Sequence, residues 1–210
     1  MKRLLIVGAG NLGREMLDWA LAVPADCRDW EVGGFLDSRA GILDGFDVSY
    51  PILGDPDTFS FNDNDCFTCA IGDPKVKLDY CRRLKSRGAR FATVIHPAAI
   101  VGSGCRLGEG CILCPAAIIT NHVTLGDFVT LNVHSSVGHD AVLGDGCTLS
   151  PHADVTGWAV LGEGVFLGSH ASVLPKARVA DYTVVGAGSV VLRKTEPHST
   201  VVGVPAKRIL

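Results

Sequence analysis

The chain has 210 residues, 47% of them hydrophobic, and a formal net charge of −3, a composition that fits a well-buried globular protein of two domains. It contains no long Lys/Arg run, and its first apolar run, Leu4 to Val7, stops at Gly8. There is therefore no electrostatic footing for nucleic acid or an anionic membrane, no signal-peptide core and no membrane span, and the eight cysteines are expected to be reduced thiols of a cytoplasmic protein.

Lys2 to Val7 reads as a buried strand, followed by Gly8-Ala9-Gly10-Asn11-Leu12-Gly13 and a helical stretch, Arg14 to Val23. Strand, glycine-rich turn and helix in that order suit a phosphate: glycines let the backbone approach, and the helix N-terminus supplies free N–H groups and a positive dipole end. A second strand, Glu31 to Leu36, ends at Asp37, placed to meet a ribose hydroxyl. A third, Cys66 to Ile71, leads into Gly72-Asp73-Pro74-Lys75 and a helix through about Arg87. Cys66 and Cys69 read as strand cysteines without a chemical role, since no second pair of similar spacing exists to complete a metal site. Residues 1–92 thus form an α/β half-Rossmann domain, whose single half favours one nucleotide over a nicotinamide dinucleotide.

From Ile95 to Glu196 the chain follows a six-residue rule. An aliphatic residue opens each hexad (Ile95, Val101, Leu107, Leu113 and onward to Val191), and a small one sits four later (Ala99, Cys105, Cys111, Ala117 and onward). Fixed-period similarity marks a solenoid, in which each unit buries its apolar side only by stacking on the next. Three hexads close a triangular coil, and nearly six coils stack at about 4.8 Å, the spacing of paired strands. Glycine recurs at the second position (Gly102, Gly108, Gly126, Gly138), suited to corners with unusual backbone angles or close packing. Cys105, Cys111 and Cys147 fall at inward positions, where cysteine acts as a small apolar residue.

Phe35-Leu36-Asp37, Ala70-Ile71-Gly72-Asp73, Val94-Ile95-His96-Pro97, the hexads and the terminal Gly203-Val204-Pro205-Ala206-Lys207 together resemble the family of sialic-acid O-acetyltransferases and bacillosamine-type nucleotide-amino-sugar N-acetyltransferases, within the hexapeptide-repeat acyltransferases. The resemblance implies that residues 93–210 form a left-handed parallel β-helix. It also implies a homotrimer with sites between neighbouring prisms, a nucleotide-linked sugar in the first domain and acetyl-CoA as acyl donor. The sugar site would comprise Gly8, Gly10, Asn11, Leu12, Gly13, Asp37, Gly72 and Asp73. Leu12 stands where the family commonly has His, His152 where it often has Gly, and Thr148 where it often has His.

His139-Asp140 occupies the third and fourth positions of its hexad, facing outward near a corner. An imidazole can take a proton from an attacking amine or hydroxyl, and an adjacent carboxylate can fix its tautomer and stabilise its charged form. Family members use such a pair, with an Asn at the position of Asn132. Gly157 follows His139 by three hexads, which stacks it one coil above, where its N–H can serve as an oxyanion donor. The resemblance further assigns pantetheine to the backbone near Ala187 and the nucleotide end of the cofactor to Lys207 and Arg208. His134, His152 and His170, also three hexads apart, should form a ladder on one corner. His134 and His139 reproduce two ligands of γ-class carbonic anhydrases, but the third position holds Ala98, so no metal is expected. The leading expectation is acetyl transfer from acetyl-CoA to an amino group of a nucleotide-linked sugar. O-acetylation, a zinc enzyme and a non-catalytic sugar-binding scaffold are the alternatives.

Overall fold

Strand β1 (Lys2–Val7) alternates its side chains between two apolar layers: Leu4 and Ile6 pack with Met16, Leu17 and Ala20, while Leu5 and Val7 pack with Leu78, Cys81 and Leu84. That alternation places β1 inside a sheet with a helix on each face. In the computed structural model, which describes residues 1–210, β1 is flanked by β2 (Trp30–Leu36) and β4 (Asp65–Cys69), and β3 (Ile52–Gly54) pairs with β2. All pairings are parallel, in the order β3-β2-β1-β4. The short β3 has no hydrophobic run of its own and adds to the strands expected from sequence.

Helix α1 (Asn11–Ala22) starts inside the glycine-rich turn, ahead of the expected Arg14, with Gly10 as its N-cap. It stops where Val23 turns extended ahead of Pro24, as the residue before proline prefers. Helix α2 (Pro74–Ser86) has proline in its first turn and an Asp73 cap whose carboxylate accepts from Val76 N–H at 2.9 Å, a strong start signal. Gly88, at φ 92°, follows its end.

Beyond Val94 the chain winds into a solenoid with three parallel faces. The first runs from Val94–Ile95 to Thr200–Val202, the second from Ile100–Val101 to Val190–Val191, and the third from Arg106–Leu107 to Arg178–Val179. Residues three hexads apart pair, as in Ile112↔Thr130↔Thr148. First- and fifth-position residues form one core of 26 buried side chains, each large aliphatic contributing roughly 1.5–3 kcal/mol by burial.

Of the two roles expected for the second-position glycines, unusual backbone angles or close packing, the corners use the second. Left-handed backbone falls at the fourth position of every hexad between Val101 and Val190, and there it is carried mostly by non-glycine residues: His122, Phe128, His134, Asp140, His152, Trp158, His170 and Tyr182 all have φ between 54° and 60°. The second-position glycines serve close packing instead. A Cβ on Gly102 would lie 2.3 Å from the Thr120 carbonyl oxygen of the coil above.

The repeat departs from its rule at both ends. Ile95 and Val101 are 36% and 41% exposed, and Cys105 is only half-buried, because no coil stacks beneath the first. After Val191 the coil shortens, so that Arg178 bridges Lys194 rather than Glu196, and Val184 pairs Thr200 rather than Val202. The regular hexads therefore end before Glu196, and Ser199 takes the buried place above Thr183. A final antiparallel strand, Lys207–Arg208, folds back on Val201 and Val202.

The two parts share their cores. Ile112 and Cys114 of the solenoid join the α1 layer, and Phe128 joins the α2 layer through an edge-on contact with Phe91 at 4.9 Å. Gly146 is small because the Leu78 side chain of α2 occupies the space a Cβ would need.

Candidate active site

Two sites emerge, one at the carboxyl ends of the parallel strands and one on a solenoid corner. The first is a cleft of about 520 Å³ lined by Gly8, Gly10, Asn11, Leu12, Asp37 and Gly72, together with Ser38, Arg39, Ile42, Pro56, Val76 and Tyr80. It lies outside the strand ends where connections run to opposite faces of the sheet, the usual ligand position in such folds. Gly8, at φ 94°, makes the turn, and Gly13 lets α1 close on it: a Cβ there would lie 2.1 Å from the Gly8 carbonyl oxygen. The first-turn N–H groups of α1 lack acceptors within the helix, which leaves a donor set for phosphate.

Asp37 is buried and fully engaged. Its carboxylate accepts from the Ala9 N–H at 2.9 Å, the Arg39 N–H at 2.9 Å and two nitrogens of the Arg39 guanidinium at 2.9 and 2.8 Å. Burial raises the carboxyl pKa, and these donors more than reverse it, holding it at about 2. Arg39 is 63% exposed and flanks the cleft. It thus supplies a cation on the cleft that no sequence motif signals. Asp73 is the α2 cap rather than a lining residue, and Gly13 acts from behind the loop.

The second site joins two consecutive coils at the corner between the second and third faces. His139 Nδ1 lies 2.9 Å from Asp140 Oδ2. A carboxylate accepts, so Nδ1 is the nitrogen assigned the proton in the neutral ring, and Nε2 is left with its lone pair. Gly157 stands directly over that nitrogen: a Cβ at Gly157 would come within 2.6 Å of Nε2. The Gly157 N–H donates no hydrogen bond within the chain. The edge of Trp158 holds the imidazole from the side, with ring centroids 4.5 Å apart at 87°. Trp158 belongs to no motif, although it lies three hexads after Asp140 on the same corner. A proton acceptor and an unpaired N–H thus sit together on an exposed ledge, as transfer at a carbonyl requires.

Asn132 lies at the other end of the second face, on the corner between first and second faces, and no hydrogen bond joins it to His139. Its side-chain oxygen accepts from the Val133 N–H at 2.7 Å. The same corner carries Ala187 and the ladder, whose imidazoles stack at 5.0 Å (His134 on His152) and 4.7 Å (His152 on His170), within 4° of parallel. Lys207 and Arg208 lie on the terminal strand, with Arg208 paired to Glu196. No group of three or more His, Cys, Asp or Glu side chains is gathered to hold a metal ion. All eight cysteines are free, and no helix is long and apolar enough to cross a membrane.

Residues 3–84 match the family model of the PglD N-terminal domain. No curated protein matches the sequence. Several solved structures match over nearly the whole chain. The acetyltransferase domain of PglB from Neisseria gonorrhoeae FA1090, in complex with acetyl coenzyme A, is 26% identical with TM-score 0.88, and 99% of each chain is covered. PerB from Caulobacter crescentus, in complex with CoA and GDP-perosamine, is 28% identical with TM-score 0.87 over 99% of this chain and 97% of that one. WeeI from Acinetobacter baumannii AYE is 25% identical with TM-score 0.84 over 100% of both chains. The resemblance to hexapeptide-repeat nucleotide-sugar acyltransferases seen in the motifs therefore extends to the entire fold.

Proposed function

We propose that this chain, built throughout on the plan of the PglB acetyltransferase domain and PerB, transfers an acetyl group from acetyl-CoA to an amino group of a nucleotide-linked sugar. The observation that carries this reading is the pairing of His139 Nε2, without a hydrogen-bond partner on a half-exposed ring, with the unpaired N–H of Gly157 above it. The relatives supply the substrate class, since PglB is complexed with acetyl-CoA and PerB with CoA and GDP-perosamine.

In the reaction the sugar amine attacks the thioester carbonyl while His139 Nε2 takes a proton from the nitrogen. Asp140 stabilises the resulting imidazolium through Nδ1. Negative charge on the carbonyl oxygen is met by the Gly157 N–H. The C–S bond then breaks, and the thiolate leaving group recovers the proton from the imidazolium. Atoms and charge balance without a metal ion.

The work divides by domain. Residues 1–92 hold the nucleotide through Gly8, Gly10, Asn11, Leu12 and Gly72. Gly13 lets α1 close on the turn, Asp37 fixes Ala9 and Arg39 in place instead of meeting the ribose as expected from sequence, and Asp73 shapes the loop as the helix cap. Residues 93–210 hold the acyl donor, with Ala187 N–H at the pantetheine and Lys207 and Arg208 at the nucleotide end. Asn132 and Ala187 sit one corner away from His139, so a homotrimer of cytoplasmic protein, in which one copy's corner faces the next copy's His139, would assemble the whole set. The 52% exposed Trp158 and 42% exposed Val142 beside that corner favour such a contact.

The test is thiol release from acetyl-CoA over a panel of UDP-, dTDP- and GDP-linked amino sugars and their hydroxyl counterparts. Release that depends on an amino sugar supports the reading. Release with hydroxyl sugars alone, or with no sugar, contradicts it.

A further inference from the structure

Lys77 is 1% exposed, the most deeply buried charged residue of the chain. The buried Asp37 and Asp65 each face an arginine, but Lys77 has no carboxylate. Its Nζ donates instead to Thr148 Oγ1 at 2.8 Å, Thr130 Oγ1 at 3.0 Å and the Cys147 carbonyl oxygen at 3.3 Å. Three ammonium donors thus meet three acceptors. The donor belongs to α2 and every acceptor to the first face of the solenoid, so the set bridges the two domains.

Its place in the fold links the two sites. One turn of α2 around Lys77 carries Val76 and Tyr80 into the nucleotide cleft, while Thr130 lies on the same short segment as Asn132. The other links from α2 to the solenoid are looser. Arg82–Glu163, Lys85–Glu109 and Lys85–Asp127 are ion pairs open to solvent, weak and tolerant of reorientation, and the Leu78 contact with Gly146 is apolar. Beyond α2, the Phe91 N–H donates to Glu109 Oε1 at 2.7 Å, which ties the linker rather than the helix that walls the cleft.

We propose that Lys77 is a positioning residue whose three hydrogen bonds set the angle of the nucleotide cleft on the prism, presenting the sugar amine to the acyl site. The inference rests on the acyltransferase reading above. An apolar side chain of equal length fills the same space but does not distinguish one rotational setting of α2 from another. Removing a proton leaves two N–H donors for three acceptors. The groups facing Lys77 are the thiols of Cys69 on β4, Cys81 on α2, and Cys111 and Cys147 in the solenoid; no carboxylate is among them.

The experiment compares wild type with Lys77→Met and Lys77→Arg, using whichever UDP-, dTDP- or GDP-linked amino sugar releases thiol fastest. Lys77→Met is expected to lower kcat at least ten-fold while leaving the Kd of that sugar nucleotide and the KM for acetyl-CoA within two-fold. Wild-type kcat is expected to fall above pH ~8 as Lys77 loses its proton, and Lys77→Arg should restore at least half of kcat and remove that fall. An unchanged kcat in Lys77→Met, or loss of sugar-nucleotide binding in step with kcat, overturns the proposal. If wild type acetylates no sugar, the functional reading fails, and hydrogen exchange judges Lys77 alone. Amides of residues 74–86 should then exchange at least five-fold faster in Lys77→Met while those of β1 stay unchanged, and equal exchange overturns the pin. Should Lys77→Met not fold, Thr148→Val, which removes one acceptor, is expected to give the same pattern with a kcat loss of about three-fold, and no loss overturns the proposal.

Discussion

Gly157 lies so close over His139 that a single added methyl would reach within 2.6 Å of Nε2. Its φ is not in the left-handed region, so alanine is tolerated by the backbone and rejected by the imidazole. Gly157→Ala is expected to lower kcat by about 10²-fold, the scale of an ångström's misplacement of a reacting group, with Tm nearly unchanged. Thiol-release kinetics and a melting curve check it. A large fall in Tm with normal kcat in the surviving protein would mean that the glycine serves packing alone.

Asp140 and His139 are both partly exposed, at 40% and 49%, so solvent screens the charge of the carboxylate. Asp140→Asn keeps an acceptor for Nδ1–H and removes the charge. The expected loss in kcat is therefore about ten-fold, well short of what a buried triad carboxylate gives. A loss equal to that of removing His139 itself would assign Asp140 a larger role.

Burial pushes the Lys77 ammonium down to about 8, against 10.5 for the free side chain. Between those values the unfolded chain holds a proton that the folded chain has released, so this group adds stability as pH rises from about 8 to 10.5 and loses it as pH falls. The difference amounts to roughly 3 kcal/mol across the window. Denaturant melts of wild type and Lys77→Met from pH 7 to 10.5 should therefore diverge, wild type gaining relative to the variant. Parallel curves would show that Lys77 titrates normally.

Burial also pushes the thiols of Cys66 and Cys111 up to about 11 and that of Cys147 up to about 12. Cys27 is exposed and Cys105 half-buried. Native protein treated with a thiol reagent at pH 8 is expected to label Cys27 fast and Cys105 slowly, with the remaining cysteines reacting only in denaturant. Rapid labelling of Cys111 or Cys147 would contradict the inward register of the fifth positions.

Much of this was legible because the period of six dictates both what is buried and what is stacked. The register alone sends Cys111 and Cys147 inward, aligns His134, His152 and His170, and sets Gly157 over His139, since strand pairing repeats every three hexads. The end effects were not legible. Ile95 and Val101 obey the pattern yet stay exposed for want of a coil below, and the last coil shortens where Arg193 and Lys194 pass over Arg178. Lys77 escapes a sequence reading because charge argues for solvent, although its spacing from Leu78, Cys81 and Leu84 puts it on the buried face of α2. Arg39 and Tyr80 escape it because cleft walls are assembled from separate loops and helices, with no signature in any one segment.

In the proposed reaction His139 Nε2 removes the proton of the acceptor amine. The direct measurement is kcat for thiol release from acetyl-CoA with the best nucleotide-linked amino sugar, wild type against His139→Asn, with folding verified by Tm. The expected result is a loss of at least about 10²-fold, the usual contribution of a general base, at unchanged Kd for the sugar nucleotide. Activity within two-fold of wild type would contradict it.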